Sequence, residues 1–176
     1  MPSLTSILVR RSPLSPTRGI LAAGPLRLAC ALGRSGTSIL KREGDGATPV
    51  AAMALLSAFR RGRRVPGLAT TLPLRRVVPG RDGWCDASGH AAYNRPVRLP
   101  FPASTESLAR DDRLYDAGFV LDWNVRCRAR NRGSAIFLHV AREGYAPTEG
   151  CVALSPGDLR RLLPFLRPGT VLRVLR

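Results

Sequence analysis

A cysteine and a histidine near the C-terminus have the types and spacing of a thiol nucleophile and its base. Cys151 follows Gly150 and opens a short apolar run, and His139 closes an apolar run that begins at Ala135. A thiol is activated by a base within hydrogen-bond reach, and backbone N–H groups beside a glycine can bind the oxyanion formed on an attacked carbonyl. The pattern predicts Cys151 as nucleophile, His139 as base, and Gly150 and Cys151 as oxyanion donors. A buried structural thiol is the alternative interpretation of Cys151.

Two strands must position these residues. The run from Ala135 to Leu138 predicts a buried strand with His139 at its end. A loop containing Gly144 and Pro147 follows, and a second short strand begins at Gly150 and Cys151. Two adjacent strands joined by such a loop would bring the thiol and the imidazole side by side.

The rest of the chain predicts a mainly β fold with one or two short helices. Apolar or alternating runs predict further strands at Leu4 to Val9, Leu26 to Leu32, Thr70 to Pro79, Tyr115 to Asn124 and Val171 to Val174. Within these, Leu26, Leu28, Cys30 and Leu32 are expected to share one inward face, and Leu72 and Leu74 are also expected to face inward.

Helices are predicted at two places. Ser155 and Pro156 have the types of an N-cap and a first helical residue, and an apolar stripe follows at Leu159, Leu162, Leu163 and Leu166. Val50 to Phe59 is rich in Ala and Leu and favours a helix by propensity. Gly80 to Pro102 reads as a long irregular loop.

The formal net charge of +16 comes almost wholly from arginine, because Lys41 is the only lysine. Such a charge favours contact with polyanions. However, the arginines are spread along the chain and no nucleic-acid motif accompanies them, so we predict no specific nucleic-acid partner. A genome rich in G and C would give the same arginine excess without any functional reason.

The four cysteines match no disulfide framework or zinc pattern. Cys85 with His90 is the nearest approach to a metal pair, but the chain has only two histidines and no C-x-x-C. We therefore predict reduced, mostly buried thiols, no metal and no cofactor. His90 is interpreted as an exposed loop residue rather than a catalyst.

The N-terminus has its apolar part before its basic part, the reverse of a secretory signal, and no run is long enough for a membrane-spanning helix. The sequence as it stands therefore predicts a cytoplasmic protein. A misassigned start codon would change the prediction to a periplasmic one.

Several segments together resemble the YkuD-type L,D-transpeptidase catalytic domain, in particular a small subgroup that lacks a signal peptide. The segments that carry the resemblance are His139, Thr148-Glu149-Gly150-Cys151-Val152, Lys41 to Pro49, Tyr115 to Asn124, Trp84-Cys85-Asp86 and Tyr93-Asn94-Arg95. The resemblance covers residues 19–176 and leaves 1–18 as an N-terminal extension or first strand. It departs from the usual pattern at Glu149 for histidine, Ala153 for arginine and Ala51 for glycine, and this last departure leaves helix or strand open for Val50 to Phe59.

The resemblance implies a β-sandwich and cysteine-dependent acyl transfer at L,D-peptide bonds of peptidoglycan stem peptides or muropeptides. It also implies substrate contacts at Thr148, Glu149, Tyr115 and Asn124. Transfer to an amine would make the protein a transpeptidase, and transfer to water an L,D-carboxypeptidase. A non-catalytic basic protein that binds cell wall or nucleic acid is the alternative from another class. The sequence predicts no particular oligomeric state.

Overall fold

The computed structural model describes residues 6–62 and 69–176. In these ranges the strands are β1 (Ser6–Ser12), β2 (Ser15–Ala23), β3 (Leu26–Ala31), β4 (Thr37–Ser38), β5 (Thr48–Pro49), β6 (Ala52–Arg61), β7 (Leu74–Val77), β8 (Asp82–Cys85), β9 (Arg95–Arg98), β10 (Thr105–Ser107), β11 (Ala117–Leu121), β12 (Phe137–Val140), β13 (Val152–Leu154) and β14 (Val171–Val174). One α-helix, α1 (Pro156–Leu162), and two short 3-10 turns, Glu143–Tyr145 and Leu163–Phe165, complete the described elements. The mainly β prediction is confirmed.

Nine strands form one large sheet in the order β11-β12-β13-β3-β2-β1-β14-β6-β7, and β11 also pairs with β6. The extra pairing closes eight of these strands into a continuous ring, while β7 lies on its outside along β6. The two layers expected of a sandwich are therefore joined through backbone hydrogen bonds. The core within the ring includes Phe119, Leu138 and Leu154, which are fully buried.

The segment from Gly80 to Pro102, predicted as an irregular loop, forms part of a second sheet. Strand β8 pairs antiparallel with both β9 and β10, and Trp84 and Cys85 of β8 are buried. The loop prediction was wrong because the segment gains its order from pairing with Thr105–Ser107, about 20 residues further along the chain. This small sheet contributes to the cleft described below.

The prediction of a helix at Val50 to Phe59, based on propensity, is wrong, because Ala52–Arg61 forms strand β6. Strand β6 pairs with β14, β11 and β7, and its buried residues include Met53 and Leu55. Pairing with three other strands overrides the local helix propensity, which amounts to roughly a few tenths of a kcal/mol per residue.

The strand predicted at Thr70 to Pro79 is shorter and spans Leu74–Val77. Leu72 is buried as predicted, but the inward orientation predicted for Leu74 is wrong: its side chain is 40% exposed, because β7 pairs only with β6 at the end of the sheet.

At the N-terminus, β1 and β2 form an antiparallel hairpin inside the large sheet. Leu4, where the first strand was predicted to begin, lies outside the described residues. The predicted boundary between residues 18 and 19 falls within β2 (Ser15–Ala23). Residues 6–18 therefore contribute to the same sheet as the predicted catalytic domain.

Helix α1 begins as the sequence predicted. The Ser155 hydroxyl accepts a hydrogen bond from Asp158 N at 3.1 Å, and Pro156 occupies the first turn. All four leucines of the predicted stripe are buried. The helix packs beside β12 and β13, the strands next to the predicted nucleophile and base. Within residues 6–62 and 69–176, no helix combines the length and the apolar character needed to cross a bilayer.

Candidate active site

Strands β12 and β13 lie side by side and bring the predicted nucleophile and base to one place. The strands are parallel, with Leu138 opposite Val152, and Cys151 directly precedes β13. The Cys151 thiol donates to Ala135 O at 3.3 Å and its sulfur accepts from Phe137 N at 3.4 Å. His139 lies inside β12 rather than at its end. Cys151 and His139 both line a single cleft of about 390 Å³.

Three parts of the fold supply the remaining walls of this cleft. The large sheet and its loops contribute Tyr115 and Ser134, in addition to Cys151 and His139. The loop before β5 contributes Lys41 and Glu43. The small sheet contributes Glu106 from β10 and Asp86, which follows β8.

The His139 ring is oriented by a backbone carbonyl. Its Nδ1 lies 2.8 Å from Val140 O, and a carbonyl can only accept, so Nδ1 carries the proton. Nε2 of the neutral ring therefore has a free lone pair and can act as a base. The ring also packs edge-on against Tyr115, with centroids 5.2 Å apart. The resemblance alone did not identify the group that orients this histidine.

Burial keeps His139 neutral. The side chain is 2% exposed, and loss of solvent lowers its pKa to about 4, although the Val140 carbonyl acts in the opposite direction. A base in this chemistry is expected to have a pKa near neutrality. That expectation is not met in the free protein.

Cys151 is neutral for the same reason. Burial, with a smaller contribution from the nearby Glu106 carboxylate, raises the pKa of the thiol to about 12. The resting pair is thus a thiol and a neutral imidazole rather than a thiolate and an imidazolium. Attack by sulfur must be accompanied by transfer of its proton to a base.

The turn before the cysteine is held by Thr148. Its hydroxyl donates to Cys151 O at 2.7 Å and accepts from Gly150 N at 3.2 Å. Gly150 has φ +129°, and a Cβ there would lie 2.8 Å from Ala47 O, so the position requires glycine. Because the Gly150 N–H is already bound by a hydroxyl, it must leave that partner to serve an oxyanion. The assignment of Gly150 and Cys151 as oxyanion donors stays a prediction.

The other predicted substrate contacts lie in different surroundings. Thr148 and Tyr115 are buried in the cleft wall, whereas Glu149 lines the cleft with its side chain 78% exposed and paired with Arg34 at 2.8 Å. Asn124 does not line the cleft. Its amide group bonds to Ala129 and Gly133 and closes the loop between them.

Sequence reasoning did not single out three residues that line the cleft, namely Lys41, Asp86 and Glu106. The ammonium of Lys41, which is 2% exposed, donates to Arg42 O and pairs with Asp45. Burial acts to raise the pKa of Asp45, but the hydrogen bonds from Lys41 and from the backbone together lower it below its usual value. The sole lysine among 28 basic residues was a signal that could have identified this position. Asp86 and Glu106 gave no such signal, because their approach depends on the pairing of β8 with β10.

The other three cysteines and His90 do not line the cleft. All four cysteines are free, and only Cys127 is exposed. His90 is partly buried and its ring packs edge-on against Phe101 at 5.0 Å. It is not among the residues that line the cleft with Cys151 and His139.

A scan against protein-family models matches residues 20–174 to the YkuD family, described as the L,D-transpeptidase catalytic domain. Because the match spans most of the chain, the chain belongs to this family. A search of curated proteins finds no match.

Solved structures give weaker similarities. L,D-transpeptidase 1 of Mycobacterium tuberculosis aligns with 97% of this chain at 12% identity, with a TM-score of 0.42. An L,D-transpeptidase from Mycobacterium smegmatis also aligns with 97% of this chain at 12% identity, with a TM-score of 0.43. The present chain covers 62% and 58% of these two chains.

Proposed function

We propose that this protein is a cysteine acyltransferase that acts on L,D-peptide bonds of peptidoglycan stem peptides, as an L,D-transpeptidase. The observation that carries the proposal is the pair of Cys151 and His139, which line one cleft in a chain of the YkuD family. The backbone contact at Nδ1 leaves Nε2 of His139 as the basic nitrogen. The buried position of both groups favours a reaction that is protected from bulk water.

In the first half-reaction the Cys151 sulfur bonds to the carbonyl carbon of the third stem residue while its proton passes to His139 Nε2. Collapse of the tetrahedral intermediate breaks the C–N bond, and the imidazolium returns the proton to the leaving amine of the terminal D-alanine. The product is a thioester on Cys151.

In the second half-reaction an acceptor loses a proton to His139 and attacks the thioester. The C–S bond breaks, the thiol is regained, and the acyl group leaves on the acceptor. An amine acceptor gives a cross-link, which is the transpeptidase reaction. Water gives a shortened tripeptide, which is the L,D-carboxypeptidase reaction.

Mass spectrometry of the products tests the proposal. The purified protein is incubated with a stem tetrapeptide, with and without an acceptor amine. A ligated product that forms only with the amine supports the transpeptidase, and release of D-alanine without it supports the carboxypeptidase. Cys151→Ala should abolish both products, while Cys127→Ser, at an exposed thiol outside the cleft, should retain them.

The absence of any product and of any thioester on Cys151 would contradict the proposal and favour the non-catalytic wall-binding alternative. Fractionation of cells into cytoplasm and periplasm tests the predicted location, which decides the acceptors that a thioester would meet.

A further inference from the structure

The hairpin of β1 and β2 carries the most exposed of the large apolar side chains in the described part of the chain. Leu14, in the turn of the hairpin, is 95% exposed, and Pro13 and Pro16 near it are also exposed. Ile20, further along β2, is 45% exposed. Single apolar residues are common on protein surfaces, so the meaning of Leu14 depends on its neighbours.

The neighbours of this turn are exposed arginines. Arg10 and Arg11 lie in β1, and Arg18 lies in β2. The register places Arg10 opposite Ile20, so a cationic and an apolar side chain lie side by side on the outer face of the sheet. A register shift after Arg11 interrupts the alternation of the strand, and two consecutive arginines are exposed there. The hairpin thus combines apolar side chains with three positive charges.

The charges of these arginines are not offset by carboxylates. Arg18 donates to Gly144 O at 2.6 Å, and its guanidinium carbon lies 5.9 Å from the centroid of the Tyr145 ring. A carbonyl and a ring hold the guanidinium without neutralising it. No acidic residue precedes Glu43 in the sequence, and among the described residues no ion pair joins an acidic side chain to any of the three arginines.

The strands on either side of the hairpin extend this positive surface. Strand β3 pairs with β2 and carries Arg27, and strand β14 pairs with β1 and carries Arg173, both exposed. Arg27 donates to Gly24 O at 2.7 Å, which is again a carbonyl. The turn with Leu14 therefore adjoins a sheet face whose charged side chains are basic.

An anionic lipid bilayer matches both properties of the hairpin. Its negative surface attracts arginine side chains, and its interfacial region accepts apolar side chains. A single apolar insertion gives only weak membrane binding, but it adds to the electrostatic attraction when both lie in one surface. The hairpin has this combination in a segment of 18 residues, Ser6 to Ala23.

Two other kinds of partner match the hairpin less well. A second copy of the chain, bound through the same face, would bring the arginines of the two hairpins together with no carboxylate between them. A nucleic acid would match the charge, but single-stranded bases are bound by aromatic side chains, and residues 6–23 include none. Phosphate contacts of a duplex make no use of an exposed leucine.

We propose that the β1–β2 hairpin docks the protein on an anionic lipid bilayer. Leu14 enters the interfacial region, and Arg10, Arg11 and Arg18 contact lipid phosphates. Binding of this kind is peripheral and reversible. The inference goes beyond the proposed function and does not depend on it, because no step of the acyl transfer involves the hairpin.

Docking in this way also orients the protein. The contacts of Arg18 join the hairpin to the turn Glu143–Tyr145, which follows the strand of His139 and precedes Cys151 in the chain. The hairpin is further tied to this side of the sheet by Leu32 N, which donates to Thr17 O at 2.8 Å. The bilayer is therefore contacted by the side of the protein that carries the turn between β12 and β13.

Sedimentation with lipid vesicles tests the docking surface. The full-length protein is mixed with vesicles of phosphatidylcholine alone, or of phosphatidylcholine and phosphatidylglycerol in equal amounts. We expect binding to the anionic vesicles and little binding to the neutral ones. The binding to anionic vesicles should weaken as salt is added, because salt screens the attraction of the arginines.

Replacing the exposed leucine tests the apolar contribution. Leu14→Ser should weaken binding to anionic vesicles about fivefold to tenfold, which is part of the effect of burying a whole leucine side chain. Leu40→Ser makes the same change at a leucine that is 67% exposed outside the hairpin, and it should bind as the wild type does. Circular dichroism shows whether each variant is folded.

Replacing the arginines tests the electrostatic contribution. Arg10→Gln combined with Arg11→Gln should weaken binding about fivefold for each arginine removed. Arg95→Gln combined with Arg98→Gln removes an equal charge from two exposed positions of β9, outside the hairpin, and should weaken binding less.

A fluorescent residue at the turn tests insertion directly. Leu14→Trp keeps a large apolar side chain at an exposed position, so it should fold and bind as the wild type does. Its emission, after subtraction of the wild-type signal, should shift to shorter wavelength with anionic vesicles and stay unchanged with neutral ones. An unchanged emission with anionic vesicles would show that this side chain does not enter the bilayer, and would overturn the inference.

A DNA duplex at the same phosphate concentration provides the rival polyanion. Leu14→Ser should weaken binding to anionic vesicles and leave binding to DNA unchanged. Equal binding of the wild type to neutral and anionic vesicles would contradict the docking surface. Binding that is tighter to DNA than to vesicles, and insensitive to Leu14→Ser in both cases, would assign the hairpin to nucleic acid instead.

Discussion

His139 and Cys151 are both uncharged in the free protein because both are buried. A neutral pair of this kind stores no ion-pair energy, and its reactivity depends on the proton transfer that accompanies attack. The Val140 carbonyl selects the tautomer of His139, and Glu106 acts on the thiol through its charge. At the scale of residues, burial thus has the largest effect on the pKa of both groups, and the Glu106 carboxylate adds to it at the thiol.

The neutral His139 should make the protein less stable in mild acid. The unfolded chain binds a proton at this residue near pH 6.5, whereas the folded protein binds it only near pH 4. Between these values the unfolded state binds more protons, so the free energy of unfolding falls as the pH falls. The pKa difference corresponds to about 3 kcal/mol.

Urea unfolding of the wild-type protein and of His139→Gln at pH 7 and pH 4 measures this contribution. The variant should lose about 3 kcal/mol less than the wild type over the interval. His90→Gln, outside the cleft, should behave as the wild type. Parallel losses in wild type and His139→Gln would show that His139 is not the group responsible.

The raised pKa of Cys151 predicts a pH dependence of its alkylation. Thiolate is the reactive form, so with a pKa of about 12 the rate should rise about tenfold per pH unit from pH 7 to pH 10 without reaching a plateau. Iodoacetamide labelling, followed by peptide mass spectrometry in a Cys127→Ser background, gives the rate at Cys151 alone. A plateau near pH 8 would mean that the thiol is already activated in the free protein.

At the scale of elements, the site depends on two parallel strands and the turn that precedes the second. Strand β12 carries His139, and the turn from Thr148 to Cys151 places the thiol beside β12. Thr48, in β5, adds a weaker hydroxyl contact to Cys151 O at 3.4 Å. Strand β5 therefore supports the turn that holds Cys151.

Replacing Thr148 tests this turn. Thr148→Val has a similar shape but removes the donor to Cys151 O and the acceptor of Gly150 N. Loss of such buried partners costs about 1–3 kcal/mol, and displacement of the thiol should lower kcat/KM at least tenfold, or roughly 1.4 kcal/mol in the barrier. Thr148→Ser keeps the hydroxyl and should stay within a few-fold of wild type. Equal activity of the two variants would show that the hydroxyl does not position the nucleophile.

At the scale of the whole molecule, four of the twelve acidic residues line the cleft, whereas the charged residues on one outer face of the large sheet are all basic. Strands β3, β2, β1 and β14 are consecutive in the large sheet and contain no acidic residue. Their registers place four exposed arginines on one side of the sheet, namely Arg10, Arg18, Arg27 and Arg173. This face should dominate contacts with polyanions.

Salt dependence of binding to a DNA duplex, used as a non-specific polyanion, tests this charge distribution. Each phosphate contact contributes about 0.9 to the slope of log K against log salt, so replacing these four arginines by glutamine should reduce the slope by up to about 3.6. The same replacement at four other exposed arginines, Arg76, Arg95, Arg98 and Arg132, should reduce it less. Equal effects of the two sets would mean that the charge acts evenly over the surface.

The sequence by itself determined those features that depend on local patterns. The alternation of Leu26, Leu28, Cys30 and Leu32 predicted a half-buried strand. The last three are buried, and Leu26, at the first position of β3, is partly buried. The types of Ser155 and Pro156 predicted the start of α1, because capping involves only neighbouring backbone groups. The two apolar runs around His139 and Cys151 likewise predicted the strands that line the cleft.

Only the tertiary structure decided which distant segments meet. Ala52–Arg61 became a strand because it has partners in β14, β11 and β7, and no local pattern records them. The neutrality of Cys151 and His139 arises from burial by the whole fold, and Asp86 and Glu106 meet through the pairing of β8 with β10. Local patterns specify which face of a strand is buried, whereas solvent exclusion and strand partners depend on residues far apart in the chain.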